Sequence, residues 1–176
     1  MTFLSDFFIK STDSIFNRLI KLEIIASITT KQNIAMVLRE FQIYVKHPNK
    51  QFVAATIKAV GKVVDIDPEL TAICMQGMLY LIACNKEAIV VEEVINTLRL
   101  ILIQNFSMET SLPVLHSIIK SIVKEEDSLD IPAARSGVVW LVGEFLDNLT
   151  EIAPDILRVL GIHTKEYIFF VNKYFK

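Results

Sequence analysis

Along most of the chain the large apolar side chains return every three or four residues. In "KQNIAMVLREFQIYVK", residues 31–46, Ile34, Val37, Leu38, Phe41 and Tyr44 fall at i, i+3, i+4, i+7 and i+10, which is one stripe of a helix. Pro48 in the following "HPNK" disfavours helical geometry at His47, so a stop is predicted there. From Gln51 a second stripe, Val53, Ile57, Val60 and Val64, runs to "DIDPE". There Asp67 suits an N-cap, and Pro68, with no N–H to leave unpaired, suits the first turn of a new helix. The same punctuation recurs at Asn85 before "KEAIVVEEVINTLRLILIQ", at Ser111 before "LPVLHSIIKSIVK" and at Asp130 before "IPAARSGVVWLVGEFLDNL". Pro154 opens "PDILRVL", with Gly161 as its stop. Adding an opening helix near residues 13–29 and a last one near 165–175 predicts nine helices. No Asn-Gly or Asp-Gly turn and no sustained period-two alternation is present, so the fold class is all-α.

The spacing of these helices is more informative than their number. One alternate series begins near residues 31, 68, 111 and 153, and the other near 51, 86, 131 and 165. Two helices in about 40 residues is the period of HEAT and armadillo arrays. Pro68, Pro113 and Pro154 recur at or near the start of the first helix of a pair. The prediction is therefore a HEAT/armadillo-like α-solenoid of four to five two-helix repeats, one segment over residues 1–176, in preference to a compact bundle. A solenoid unit buries its apolar face only by stacking on neighbours, and end units need polar caps. Here Phe3, Leu4, Phe7 and Phe8 lie near the start, and Tyr167, Ile168, Phe169, Phe170, Val171, Tyr174 and Phe175 near the end. Such ends imply a piece of a longer array or ends covered by partners.

Composition narrows the function classes. Eighteen Lys and Arg against 20 Asp and Glu give a net charge of −2, so nucleic acid is not a favoured partner. The longest charge-free apolar stretch, residues 70–84, falls short of the roughly 20 residues of a membrane span and predicts a buried helix. Asp6 within the apolar start, with no basic leader before it, argues against a secretory signal and for the cytoplasm. Cys74 and Cys84 lie in apolar segments without ligand spacing and are expected to be reduced core cysteines.

Little in the sequence suggests catalysis. His47, His116 and His163 are far apart and have no Cys or His at metal-ligand spacing, which makes them ordinary turn or helix positions. No phosphate-binding, dinucleotide or nucleophile-elbow motif occurs. Glu125, Glu126, Asp127 and Asp130 cluster between helices without an apolar pocket to raise a pKa. Glu92 and Glu93 diverge around their helix and form no dyad. No catalytic residue, metal site, cofactor or small-molecule substrate is predicted. The candidate partner contacts are basic: Lys58 and Lys62, one turn apart, with Arg99 and Arg135 on the equivalent helices of later repeats. Together they form a ridge for acidic groups or lipid headgroups, or else solvated lysines and arginines paired with neighbouring carboxylates. Trp140 lies off the main stripe of its helix, beside Gly137 and Glu144, as a partner contact or a second packed face. Gly143 costs about 1 kcal/mol relative to Ala, which close approach of an adjacent helix would offset.

Two segments resemble a known family. The run "KLEIIASITTKQNIAMVLREFQIYVKHPNKQFVAATIKAVGKV" is similar to the trunk of β-type adaptins, large subunits of heterotetrameric vesicle-coat adaptors. So is "SLDIPAARSGVVWLVGEFLDNLTEIAPDIL", with Ala134, Arg135, Trp140, Gly143 and Glu144 at matching separations. The variants "LREFQIYVK", "KQFVAATI" and "IAPDILR" look most like the third-complex branch, and the resemblance covers about residues 19–160. It implies a non-enzymatic solenoid scaffold in intracellular, vesicle-mediated protein transport. Its implied partners are a second large, a medium and a small subunit, with peripheral association through the complex at Golgi, endosomal or coated-vesicle membranes. Full β-type subunits are several times longer, so a fragment, a truncated product or a reduced relative is expected. No clathrin-box sequence occurs, and clathrin recruitment is not implied. The alternative is a generic HEAT-repeat scaffold, a transport receptor or regulatory subunit, holding peptides in its groove.

Overall fold

A computed structural model describes residues 3–85, 87–105, 113, 116–117, 120, 132–151 and 153–162. Among the described residues eight α-helices have defined bounds, in order α1 Phe3–Asp6, α2 Ile15–Ser27, α3 Ile34–Tyr44, α4 Lys50–Val63, α5 Pro68–Cys84, α6 Ala88–Asn105, α7 Pro132–Glu144 and α8 Ala153–Ile162. Short 3-10 turns, Val64–Ile66 and Leu146–Asn148, come after α4 and α7. The helix expected from residue 111 lies outside the described residues except Pro113, His116, Ser117 and Lys120, which are helical and exposed. The one expected from 165 lies outside them entirely.

Three helices begin where the sequence supplies an acceptor for a free amide. Ser14 accepts from the Asn17 N–H at 3.3 Å, Asn49 from Phe52 at 2.9 Å and Asp67 from Glu69 at 3.4 Å. Pro68 takes the first helical position of α5, as its missing N–H dictates. Asn85 departs from expectation. Rather than opening α6 it closes α5, its Nδ2 and backbone N–H donating to the Leu81 carbonyl at 3.2 and 3.0 Å.

Alternate helices form a continuous layer: α2 packs on α4, α4 on α6, and α6 on α7, although residues 106–131 separate the last two. A second row comprises α3 against α4 and α5 against α6, and α8 returns onto α7. This is the predicted α-solenoid. Glycine sets the spacing in the first layer. A methyl group on Gly61 would lie 2.7 Å from Thr97 Cγ2, and one on Gly137 2.2 Å from Ile95 Cγ2. Helices thus approach closely at these two glycines. Arg99, one turn after Ile95, meets Trp140, nearly one turn after Gly137, so α6 and α7 run in the same direction.

The core has two lobes with α4 between them. Leu22, Ile25, Val37, Phe41 and Tyr44 meet Phe52, Ala59 and Val63 on one side. Met78, Val94, Leu98, Val138 and Leu141 meet Val53 and Ile57 on the other. Of the stripes read from the sequence, Ile34, Val37, Phe41 and Tyr44 on α3 and Val53, Ile57 and Val64 along α4 and the turn after it are buried, while Leu38 and Val60 are half-buried; on α7 the buried face is Val138, Leu141 and Val142. Phe145 and Leu149 are buried too, but α7 ends at Glu144 and a 3-10 turn carries the stripe onward.

The largest correction concerns α5. The charge-free stretch within it, residues 70–84, predicts burial, yet Ile73 is 59% and Tyr80 69% exposed. Cys84, expected in the core, is exposed as well. The reason is geometric: α5 rests on α6 and the 3-10 turn after α4, and these neighbours cover only part of a helix that is apolar nearly all round.

The N-terminal segment is held by polar clamps. Arg18 donates from Nε to the Asp13 carbonyl and from Nη2 to the Ser11 carbonyl, both at 2.8 Å, and its Nη1 reaches His47 Nε2. Ile9 donates its N–H to the Tyr44 hydroxyl at 2.9 Å. Burial pushes that phenol up to about 12, so it stays protonated at any working pH.

Candidate partner-binding surface

The first-layer helices carry all five residues singled out in the sequence. Lys62 of α4 pairs with Glu23 of α2 across the layer, with both side chains well exposed. A pair in that setting is worth about 0–1 kcal/mol. Lys58, one turn earlier and exposed, lies near Glu93 of α6. Burial raises the Glu93 pKa, and Lys58 partly opposes that rise. Both lysines therefore face carboxylates of an adjacent helix.

Arg99 and Trp140 come together. The guanidinium carbon stands 4.1 Å from the ring centroid, and the indole meets Phe145 edge-on with ring centroids 6.4 Å apart. Arg99 Nε is buried without a hydrogen-bond partner, a cost that the cation–π stack, about 0.5–2 kcal/mol, offsets. Arg135, half-buried on α7, likewise has an Nε without a partner. The stack fastens α6 to α7 and holds a cation and an aromatic ring, both half-buried, where the layer meets solvent.

His47 is more engaged than its place in a turn suggests. Its Nδ1 accepts from the Asn49 N–H at 3.0 Å, its Nε2 faces Arg18, and its ring stands edge-on to Phe52 at 5.1 Å. His116 is exposed, and His163 and the acidic cluster at 125–130 lie outside the described residues. Burial pushes the Cys74 thiol up to about 11, well away from reactive thiolate. Among the described residues no group of three His, Cys, Asp or Glu side chains is placed to hold a metal ion, and no helix is long and apolar enough to cross a membrane.

Sequence reasoning missed a groove between α3 and α5 in the second row. Phe41 of α3 and Val45 just after it, Ile57 and Val60 of α4, and Met78 and Leu81 of α5 line a cavity of about 310 Å³, with Gln42, Lys46, Ile73, Gly77 and Tyr80 also on its walls. A methyl group on Gly77 would meet nothing within 4 Å. The available signal was the apolar uniformity of α5, which says that something covers it without saying what.

Stacked helix pairs, a core continuous along the stack and a surface bearing basic and apolar side chains define a helical-repeat scaffold. The chain belongs to the adaptin family: the adaptin N-terminal region matches residues 3–166. It is 38% identical over 160 residues to the AP-3 complex subunit beta-1 of Canis lupus familiaris and to that of Homo sapiens, covering 90% of this chain and 14% of each of those. The AP-3 complex subunit beta of Dictyostelium discoideum is 32% identical over 184 residues, covering 89% of this chain and 17% of that protein. A homology model of the full-length AP-3 complex in an intermediate open conformation shares the fold, with TM-score 0.77 at 20% identity over 90% of this chain and 25% of that one. The chain thus spans about a seventh of the length of the mammalian relatives.

Proposed function

We propose that the chain is a non-enzymatic β-adaptin-type trunk segment of an AP-3-like adaptor complex. It assembles there with a second large, a medium and a small subunit, and it serves vesicle-mediated protein transport from the cytoplasmic side of Golgi or endosomal membranes. Residues 1–176 form one solenoid unit in this reading, and contact with the membrane is made through the complex. The observation that carries it is the identity to AP-3 beta subunits along 90% of the chain. The first-layer helix stack supports it by offering an extended side-chain surface across successive helices. Lys58, Lys62, Arg99, Arg135 and Trp140 are the proposed partner contacts, with the Arg99–Trp140 stack at their centre because it joins two helices at the surface.

Affinity capture of the tagged chain from its native cell, followed by mass spectrometry, tests this. Recovery of the other three kinds of adaptor subunit is expected, reduced by Arg99→Ala in a variant whose circular dichroism is unchanged. A chain recovered alone, or with peptides and no adaptor subunit, would sink the reading.

A further inference from the structure

The groove between α3 and α5 has an apolar floor, and one wall is a helix whose sequence exceeds the cover it receives. Ile73 and Tyr80 stand exposed on α5 at 59% and 69%, and Gly77 between them leaves the wall open. A helix apolar nearly all round is ordinarily enclosed, and an exposed apolar surface rimmed by polar groups marks a place where another surface docks. At about 310 Å³ the groove is too small for a whole helix but takes the large side chains along one face of a helix that rides on the two rims.

Charge narrows the occupant. Among the lining residues Lys46 alone carries full charge at neutral pH, and it stands exposed at the C-terminal end of α3. Arg39, seven residues earlier, falls on the same row of α3 and is also exposed. Gln42 lies between them and adds donors. Glu69, in the first turn of α5, and Glu40 of α3 do not line the groove. The α3 rim therefore presents donors and positive charge over an apolar floor.

We propose that this groove docks an amphipathic helix of a partner protein, with large aliphatic side chains at i, i+3, i+4 and i+7 in the groove and carboxylates along the flank facing Arg39 and Lys46. The proposal rests on the groove alone. Its peptide readout is separate from recovery of adaptor subunits, so either reading can fail without the other.

The test is fluorescence anisotropy on the full chain with a labelled synthetic peptide that bears four leucines at that spacing and glutamates on one flank. A second peptide carries lysines in place of the glutamates. Saturable binding of the acidic peptide is expected, with the basic one weaker by at least about tenfold. Gly77→Phe fills the groove from a position with open space around it, so the fold survives, as circular dichroism verifies, and binding falls by at least about tenfold. Gly77→Ala leaves binding unchanged, and Lys46→Glu reverses the preference between the peptides. Equal binding of both peptides, no saturable binding, or full binding by Gly77→Phe overturns the proposal. So does self-association of the chain, or adsorption to phosphatidylcholine vesicles, that Gly77→Phe abolishes, because the face then belongs to a second copy or to lipid.

Discussion

Three glycines in helix interiors have opposite consequences because of what faces them. In an open helical site Gly→Ala stabilises by about 1 kcal/mol, and Gly77 is such a site, with nothing within 4 Å of an added methyl. At Gly137 the same methyl would fall 2.2 Å from Ile95 Cγ2, and overpacking of this kind costs about 1–3 kcal/mol. Gly61 lies between the two, since only Thr97 Cγ2, at 2.7 Å, is in the way. Urea denaturation is expected to show Gly77→Ala with a raised midpoint and Gly137→Ala with a lowered one. Gly61→Ala is expected to be destabilised, and Thr97→Ser, which removes the obstructing methyl, should rescue it in a double-mutant cycle. Additive effects at positions 61 and 97 would disprove the contact. None of this is legible in the sequence, where the glycines look alike. The clash partners lie 36 residues after Gly61 and 42 before Gly137, and only knowledge of which helices stack connects them.

At the scale of elements, the sequence revealed what depends on near neighbours in the chain. The α3 and α4 stripes, the Asp67 cap and the Pro68 start are all set within a turn or two, and they were read correctly. The break after Glu144 escaped because the apolar period continues through the 3-10 turn unchanged. The Arg18 clamp escaped because it joins α2 to the turn after α3 across 29 residues. That clamp makes stability depend on pH. The Asn49 N–H can only donate and needs the Nδ1 lone pair, the one that a neutral imidazole has; protonation of His47 removes it and sets a second positive charge beside Arg18. Burial first, and Arg18 second, hold the His47 pKa below its ordinary value of 6.5. The unfolded chain therefore binds the proton more readily, and the slope of unfolding free energy with pH is positive below 6.5. The stabilisation is fully present above that pH and is lost as pH falls through the depressed value. Denaturant midpoints between pH 7.5 and 5.5 are expected to fall more for the wild type than for His47→Gln. Equal slopes would show that His47 titrates as it does in the unfolded chain.

For the molecule as a whole, the solenoid architecture was legible because two series of helix starts kept a common period, and a period survives errors of a residue or two at each boundary. Which faces remain uncovered was not legible, since cover depends on neighbours in space, and α5 reads as a buried helix until its neighbours are counted. The same architecture fixes how stability is shared. Among the described residues the main helix contacts are between neighbours in the stack, so free energy is stored chiefly in neighbour interfaces, and distant repeats are coupled through those between. Here the coupling passes through α4, whose Phe52 and Val63 face the α2–α3 lobe while Val53 and Ile57 face the α5–α7 lobe. Leu98 is fully buried in the second lobe, and Leu98→Ala is expected to cost about 2–5 kcal/mol. Native-state hydrogen exchange should then show amides of α5, α6 and α7 losing protection while those of α2 and α3 keep most of theirs. Val37→Ala, in the first lobe, should produce the reverse pattern, with α4 affected by both. If either substitution lowers protection uniformly from α2 to α7, α4 transmits the loss completely and the two lobes unfold as one unit. Graded protection instead means that a partner seated on one lobe can order it without ordering the other.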